Sequence, residues 1–437
     1  MLSEVTTFTV MVGAFILLVA ALRLPAALAT AGAAVAGLVA AGLAANPRHL
    51  IEGMFGYFDV LVIIATAMIF MKALENSGIL EEISSRIVRR FGQRRVPLSL
   101  VSMVLVMIPG MLTGSSTASA LTTGRFVLPV LDRAGFPRAR AAAFVALGSI
   151  IGMIAPPVNI PVMIIGAGID MPYVGFDIPL ALIALPLAVL VALWAALGKR
   201  PDTGPAAEAR VKAPSGGLVA QVAEPVHGIK GGVIYLPLAA VLLMMAAARL
   251  PGGKVPDPGI PLIFVVGTLF AAVSGRRISL PRTVVEGVGL ALPVMGILVG
   301  AGMFVQVMTV SGVRGLLVTT ALDIPKQYLF LGATAVLPLF GAISAYASSS
   351  VMGVPMLLAL LGNNEIVTAA ALSLMAAMGD LIPPIALVPT LAAQSIEPTQ
   401  IFRAKVIRAC VIPGLIMLAF AFLVLSQAVT VGKLIGS

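Results

Sequence analysis

Long apolar runs alternate with short polar or basic breaks along the whole chain. They predict helical membrane spans near residues 5–22, 26–45, 58–77, 138–168 and 178–198, then near 232–250, 259–275, 290–311, 365–395 and 403–427. Each run approaches the ~20 apolar residues needed to cross a bilayer. Two of them are interrupted in the same way, at Gly152-Met-Ile-Ala-Pro156-Pro157 and at Gly379-Asp-Leu-Ile-Pro383-Pro384. A double proline removes two backbone donors and ends helical geometry, which in lipid strands carbonyls without partners. Such backbone is tolerated at membrane depth where it is buried in protein or lines a wet cavity, and paired breaks of this kind mark the substrate region of secondary transporters. Ahead of each broken run lies an apolar stretch with small hydroxyl residues in its middle. These are 97–133, with Gly114-Ser115-Ser116-Thr117, and 328–362, with Ala347-Ser348-Ser349-Ser350. Each reads as two half-length helices meeting at a polar tip, a re-entrant hairpin.

The same order of features occurs twice. Asn76-Ser77-Gly78 and Val310-Ser311-Gly312 each end a span at an offset of 311 − 77 = 234; the serine clusters align at 348 − 115 = 233 and the proline pairs at 383 − 156 = 227. Near-constant offsets predict a duplicated unit of five spans plus a hairpin, residues 1–198 and 232–437, joined by the polar linker 199–231. An odd number of spans inverts the second copy in the membrane. The fold class expected is therefore an all-α polytopic membrane protein with two inverted repeats. Two amphipathic stretches, Glu81–Arg95 and Arg314–Lys326, follow equivalent spans and are expected to lie in the interfaces as arms bracing the hairpins.

Composition agrees. Hydrophobic residues make up 59% and charged residues 11% of the 437 residues, far from the roughly 25% charged of a soluble domain. The net charge of +10 comes without a nucleic-acid motif, so no nucleic-acid partner is expected. Placing the first span's start outside puts 20 basic residues on one side and 6 on the other, with Lys72 and Arg125 inside apolar segments. The rule that Lys and Arg concentrate in cytoplasmic loops then makes the linker cytoplasmic and both termini external. The first segment lacks a basic start and a small-residue cleavage site, so it is expected to remain as a span. The lone cysteine, Cys410, sits in an apolar run and reads as a buried small hydrophobe.

Several stretches resemble the large membrane subunit of TRAP (tripartite ATP-independent periplasmic) transporters. They are Arg23-Leu-Pro-Ala-Ala-Leu-Ala, Met71-Lys-Ala-Leu-Glu-Asn-Ser-Gly, Gly135-Phe-Pro-Arg-Ala-Arg-Ala-Ala-Ala, the Gly152 break and Ile164-Ile-Gly. The resemblance implies sodium-coupled import of a small organic acid, such as a C4-dicarboxylate or sugar acid, across a bacterial inner membrane. It also implies an elevator motion of hairpins and broken helices, a small membrane subunit (DctQ-like) and a periplasmic substrate-binding protein (DctP-like). A stand-alone homodimeric carboxylate carrier of the wider ion transporter superfamily would share the broken-helix plan. Two departures stand out: Val158-Asn159 follows the first proline pair where the family usually has Ser, and Asp380 is an unexpected acid in the second break.

Sodium is the coupling ion expected. It is a hard cation that takes oxygen ligands, and unwound carbonyls supply them. One candidate site comprises Gly114, Ser115, Ser116 and Thr117 with Gly152, Ile154 and Pro156. The other comprises Ser348, Ser349 and Ser350 with Gly379, Asp380, Ile382 and Pro383. Substrate candidates are Ser116, Arg125, Asn159 and Ser349; Arg125 could instead reach the interface, and Asn159 could instead cap the resumed helix. Lys72 is expected to snorkel. His49 and His227 fall in predicted loops and carry no role. No nucleophile constellation, nucleotide-binding motif or other metal-ligand spacing is present, so no enzymatic activity is expected.

Overall fold

The computed structural model describes residues 4–91, 94–198, 232–248, 258–383 and 385–435. The linker 199–231, His227 and Pro384 lie outside these, as do the side chains of Val88, Arg89, Arg125 and Ala248. The described chain is helical, without a β-strand. The first half runs α1 (Glu4–Ala20), α2 (Ala26–Ala40), α3 (Arg48–Phe55), α4 (Phe58–Asn76), α5 (Ile79–Phe91), α6 (Arg95–Thr113), α7 (Ser116–Arg133), α8 (Arg138–Ile154), α9 (Ile160–Ala167) and α10 (Asp177–Ala196). The second runs α11 (Leu236–Ala248), α12 (Ile260–Ser274), α13 (Leu280–Val310), α14 (Val313–Leu322), α15 (Lys326–Gly341), α16 (Ala345–Ala359), α17 (Glu365–Ala377), α18 (Leu387–Gln394), α19 (Gln400–Ser426) and α20 (Ala428–Ile435).

Two groups of helices result. Helices α1–α4 and α11–α13 pack on one another, and α6–α10 pack with α15–α19. Helices α5 and α14 run between the groups. Small residues allow the close approaches within the first group: a Cβ on Gly287 would stand 2.6 Å from the Ile69 Cα, and the backbones of Gly53 and Gly302 touch. Lipid offers apolar side chains no hydrophobic drive to associate, so this kind of close contact holds membrane helices together.

Several expectations change. The hairpin arms are not half-length: α6 has 19 residues and α7 has 18. At 1.5 Å per residue α6 is long enough to cross a bilayer. Their outer ends are polar, Arg95 on one and Asp132-Arg133 on the other. The third span of the second half begins at Leu280 rather than near 290 and is one helix of 31 residues. Its counterpart is broken into α3 and α4, bent by 47°. Helices α3 and α20 are additional to the expected spans. The two stretches expected to act as arms fall largely on α5 and α14, which are shorter than the amphipathic stretches that suggested them. The span ends that precede them do agree: α4 stops at Asn76-Ser77-Gly78 and α13 at Ser311-Gly312, with Gly78 at φ +73° and Gly312 at φ +80°. Only glycine adopts that region without steric cost.

Lys72 does not snorkel into open solvent. Its Nζ lies 3.1 Å from Glu75 and 3.9 Å from Glu286. Glu286 in turn accepts from Asn76 Nδ2 at 3.0 Å and from Arg282 Nε at 2.8 Å, tying the end of α4 to the start of α13. His49 sits in α3, not a loop, 3.1 Å from Glu52. Cys410 is buried.

Candidate functional site

Each hairpin crosses the broken helix of its own repeat at a pair of glycines. A Cβ on Gly110 of α6 would stand 2.8 Å from the Gly152 carbonyl carbon, and one on Gly152 would stand 2.6 Å from the Met107 oxygen. In the second repeat the Gly341 and Gly379 backbones are in direct contact. The glycines that begin the two sequence breaks therefore serve close backbone packing. Neither hairpin would reach its broken helix with a side chain in the way.

The first tip is built by local chemistry. Pro109 lies within the last turns of α6, and the Thr113 hydroxyl donates to its carbonyl at 2.6 Å. Gly114 turns the chain at φ +61°, with room only for a hydrogen on the side facing Ile160, whose Cγ1 a Cβ would meet at 2.5 Å. Ser115 then caps α7, accepting from Ala118 N at 3.3 Å and pairing with the Thr117 hydroxyl at 2.9 Å. The second tip is built likewise, but Ser344 is the cap, accepting from Ala347 N at 3.4 Å. This corrects the sequence alignment of the tips: the equivalent residues are Ser115 and Ser344, an offset of 344 − 115 = 229. The latches agree, because Ser119 donates across its hairpin to Val106 O and Ser348 donates to Leu337 O, an offset of 348 − 119 = 229. Ser348, Ser349 and Ser350 thus stand one turn beyond the second tip, at the entrance to a π-helical turn, Ser349–Gly353. Their hydroxyls donate to Leu337 O, Ala345 O and Ala347 O, which leaves oxygen lone pairs free to accept or to coordinate. Single π turns recur at functional sites.

The breaks differ from each other. In the first, Ala155 N donates to Gly152 O at 3.2 Å and Val158 N reaches Met111 O of the hairpin at 3.1 Å; the Pro157 carbonyl accepts from the Tyr173 hydroxyl at 3.0 Å. The Pro156-Pro157 peptide is cis. Asn159 caps α9, as one of its two expected roles required, accepting from Val162 N at 2.9 Å. The second break turns through Met378–Leu381 with Ile382 N on Gly379 O at 2.8 Å; Asp380 is buried there, whereas Pro383 is exposed.

The hydrogen bond of Asp380 runs to the other repeat. Its Oδ2 accepts from Ser116 Oγ of the first tip at 2.6 Å. The Tyr346 hydroxyl of the second tip donates to Gly114 O of the first at 2.9 Å, and Asn159 Nδ2 donates to Ser373 of α17 at 3.0 Å. The two repeats therefore meet in one buried polar knot, where Ser116, Asn159, Ser373 and Asp380 are each at most 6% exposed. Tyr346, Ser344 and Ser373 were not legible as site residues in the sequence. Ser344 lies outside the Ala347–Ser350 cluster, and nothing in the pattern distinguishes Tyr346 or Ser373 from packing residues. Of Arg125, only its place in α7 is described. No group of three or more His, Cys, Asp or Glu stands together among the described residues.

Two hairpins closing on two interrupted helices, with polar groups gathered where they meet, define a polytopic membrane transporter. The family model for the DctM component of the tripartite ATP-independent periplasmic transporter matches residues 12–431. The chain belongs to that family and is the large permease component of a TRAP transporter, not a member of an enzyme family. Its fold is similar to the crystal structure of the YdaH transporter of Alcanivorax borkumensis, described as having an unusual topology. The TM-score is 0.62 and the identity 18%, over 88% of each chain. No match was found among curated proteins.

Proposed function

We propose that the protein imports a small organic acid, a C4-dicarboxylate or sugar acid, by sodium symport across a bacterial inner membrane. It would act with a DctQ-like small membrane subunit and a DctP-like periplasmic binding protein. The observation that carries this reading is the buried knot itself. A carboxylate at membrane depth that accepts from a neutral hydroxyl is costly unless a cation joins it, and unwound carbonyls and hydroxyl oxygens surround it. The first ion would take Gly114, Ser115, Ser116 and Thr117 with Gly152, Ile154 and Pro156. The second would take Ser348, Ser349 and Ser350 with Gly379, Asp380, Ile382 and Pro383. The start of α7 at the first tip presents its positive dipole end and suits a carboxylate substrate, with Ser116, Ser349 and Arg125 as candidate contacts. The basic-residue bias supports external termini and a cytoplasmic linker.

Uptake by proteoliposomes holding the complete three-part system, measured with inward sodium, choline and proton gradients, tests the coupling. Ser349→Ala is expected to raise the sodium concentration for half-maximal uptake while leaving folding intact. One lost ligand oxygen is worth about 1–3 kcal/mol. An unchanged sodium response would remove Ser349 from the site.

In the elevator reading, α6–α10 and α15–α19 travel against the remaining helices while α5 and α14 act as arms. Single cysteines at Ala118 and Ala345, in a Cys410→Ser background, are expected to change labelling by a membrane-impermeant thiol reagent when sodium and loaded binding protein are added. A cysteine at Ala40 in α2 is not. Identical labelling of both tips in every condition would rule out the motion.

A further inference from the structure

The bonds between the repeats close a ring. Asn159, fully buried in the first break, gives one amide hydrogen to Ile154 O at 3.0 Å and the other to Ser373 Oγ at 3.0 Å, while its oxygen accepts from Val162 N. Both of its donors are used, so it has none to offer a substrate. Ser373 passes its own hydrogen to Ala370 O at 2.8 Å. Seven residues further on, about two helical turns and so on the same face, α17 runs into the turn that carries Asp380. Asp380 accepts from Ser116, and the first hairpin returns to the first break through Val158 N and Met111 O. Each corner is a buried hydrogen bond and each side is a helix, a tip or a break of one or two residues. Such an assembly offers a continuous physical route from one corner to the others.

We propose that Asn159 and Ser373 are positioning residues that couple cation occupancy of one break to that of the other. This rests on the reading of both breaks as sodium sites. Asn159 would adjust Ile154 O, a ligand of the first ion, whenever α17 shifts on binding the second. The device belongs to the first repeat alone: the position equivalent to Asn159, at 386 − 159 = 227, is Ala386, which caps α18 with backbone only. Ser373 is outside both proposed ligand sets, so its hydroxyl can be removed without removing a ligand.

The test is equilibrium binding of radioactive sodium to the purified protein, with choline chloride holding ionic strength constant. Wild type is expected to bind cooperatively, with a Hill coefficient above one. Ser373→Ala should bind the same number of ions with a Hill coefficient near one, and Ser373→Thr, which restores a hydroxyl, should recover cooperativity. Gel filtration and thermal unfolding without sodium check that each variant is folded. A cooperative Ser373→Ala isotherm would overturn the coupling and leave the sodium sites standing. Non-cooperative wild-type binding would overturn it too, and absence of any sodium binding would overturn both readings.

Discussion

Alanine at Gly379 is expected to destabilise the protein severely, whereas the same methyl group at Gly332 is expected to do no harm. The backbones of Gly379 and Gly341 touch where α15 crosses the second break, so an added Cβ would lie on the Gly341 main chain. A flexible side chain could move aside; two helical backbones cannot without separating the hairpin from α17. Overpacking typically costs about 1–3 kcal/mol, and an obstacle made of backbone belongs at or above the top of that range. Gly332, in the middle of the same helix α15, has nothing within 4 Å of its missing Cβ and is the matched control. Gly332→Ala is expected to be neutral or to stabilise by up to about 1 kcal/mol through helix propensity. Thermal unfolding of the two variants in detergent measures the difference. Equal melting temperatures would mean that the glycine crossing is not a tight contact in the folded protein.

Asp380→Asn is expected to have the largest effect on ion binding. The substitution keeps an acceptor for the Ser116 hydroxyl, now 2.6 Å from Asp380 Oδ2, and removes the charge. If the carboxylate ligates the second cation, sodium affinity should fall at least tenfold, since interactions with a charged group contribute about 1.5–3 kcal/mol. Stability should move in opposite directions with and without the ion. In choline the variant should be at least as stable as wild type, because no buried charge remains to be compensated. In sodium only wild type should gain, in proportion to ion occupancy. Melting curves of both proteins across a sodium titration separate these outcomes. Equal sodium stabilisation of wild type and variant would make Asp380 a bystander.

Much of the fold was legible because bilayer chemistry writes it in composition. Spans had to be apolar for about 20 residues, breaks had to carry proline, and tips had to be small and polar. The duplicated order of features followed from spacing alone. The resemblance rested on short motifs, and the family match over residues 12–431 bears it out. The glycines of the breaks were visible too, although their role in backbone crossing needed coordinates. Hydropathy overlooked α3, because Arg48, His49 and Glu52 interrupt the apolar run in sequence. It also shortened α13, because Arg282 and Glu286 look like loop residues until their partners are seen.

The candidate site was only half legible. The sequence alone determined which segments would be irregular and which polar residues they would carry, because those requirements are local: a proline breaks its own helix and a serine caps its own turn. Which irregular segment would face which was decided by tertiary structure. Asp380 accepts from Ser116, Tyr346 reaches Gly114, and Asn159 spends its amide on Ser373. These contacts join residues more than 200 positions apart through the packing of one repeat on the other. No periodicity or spacing within a single repeat encodes that relation.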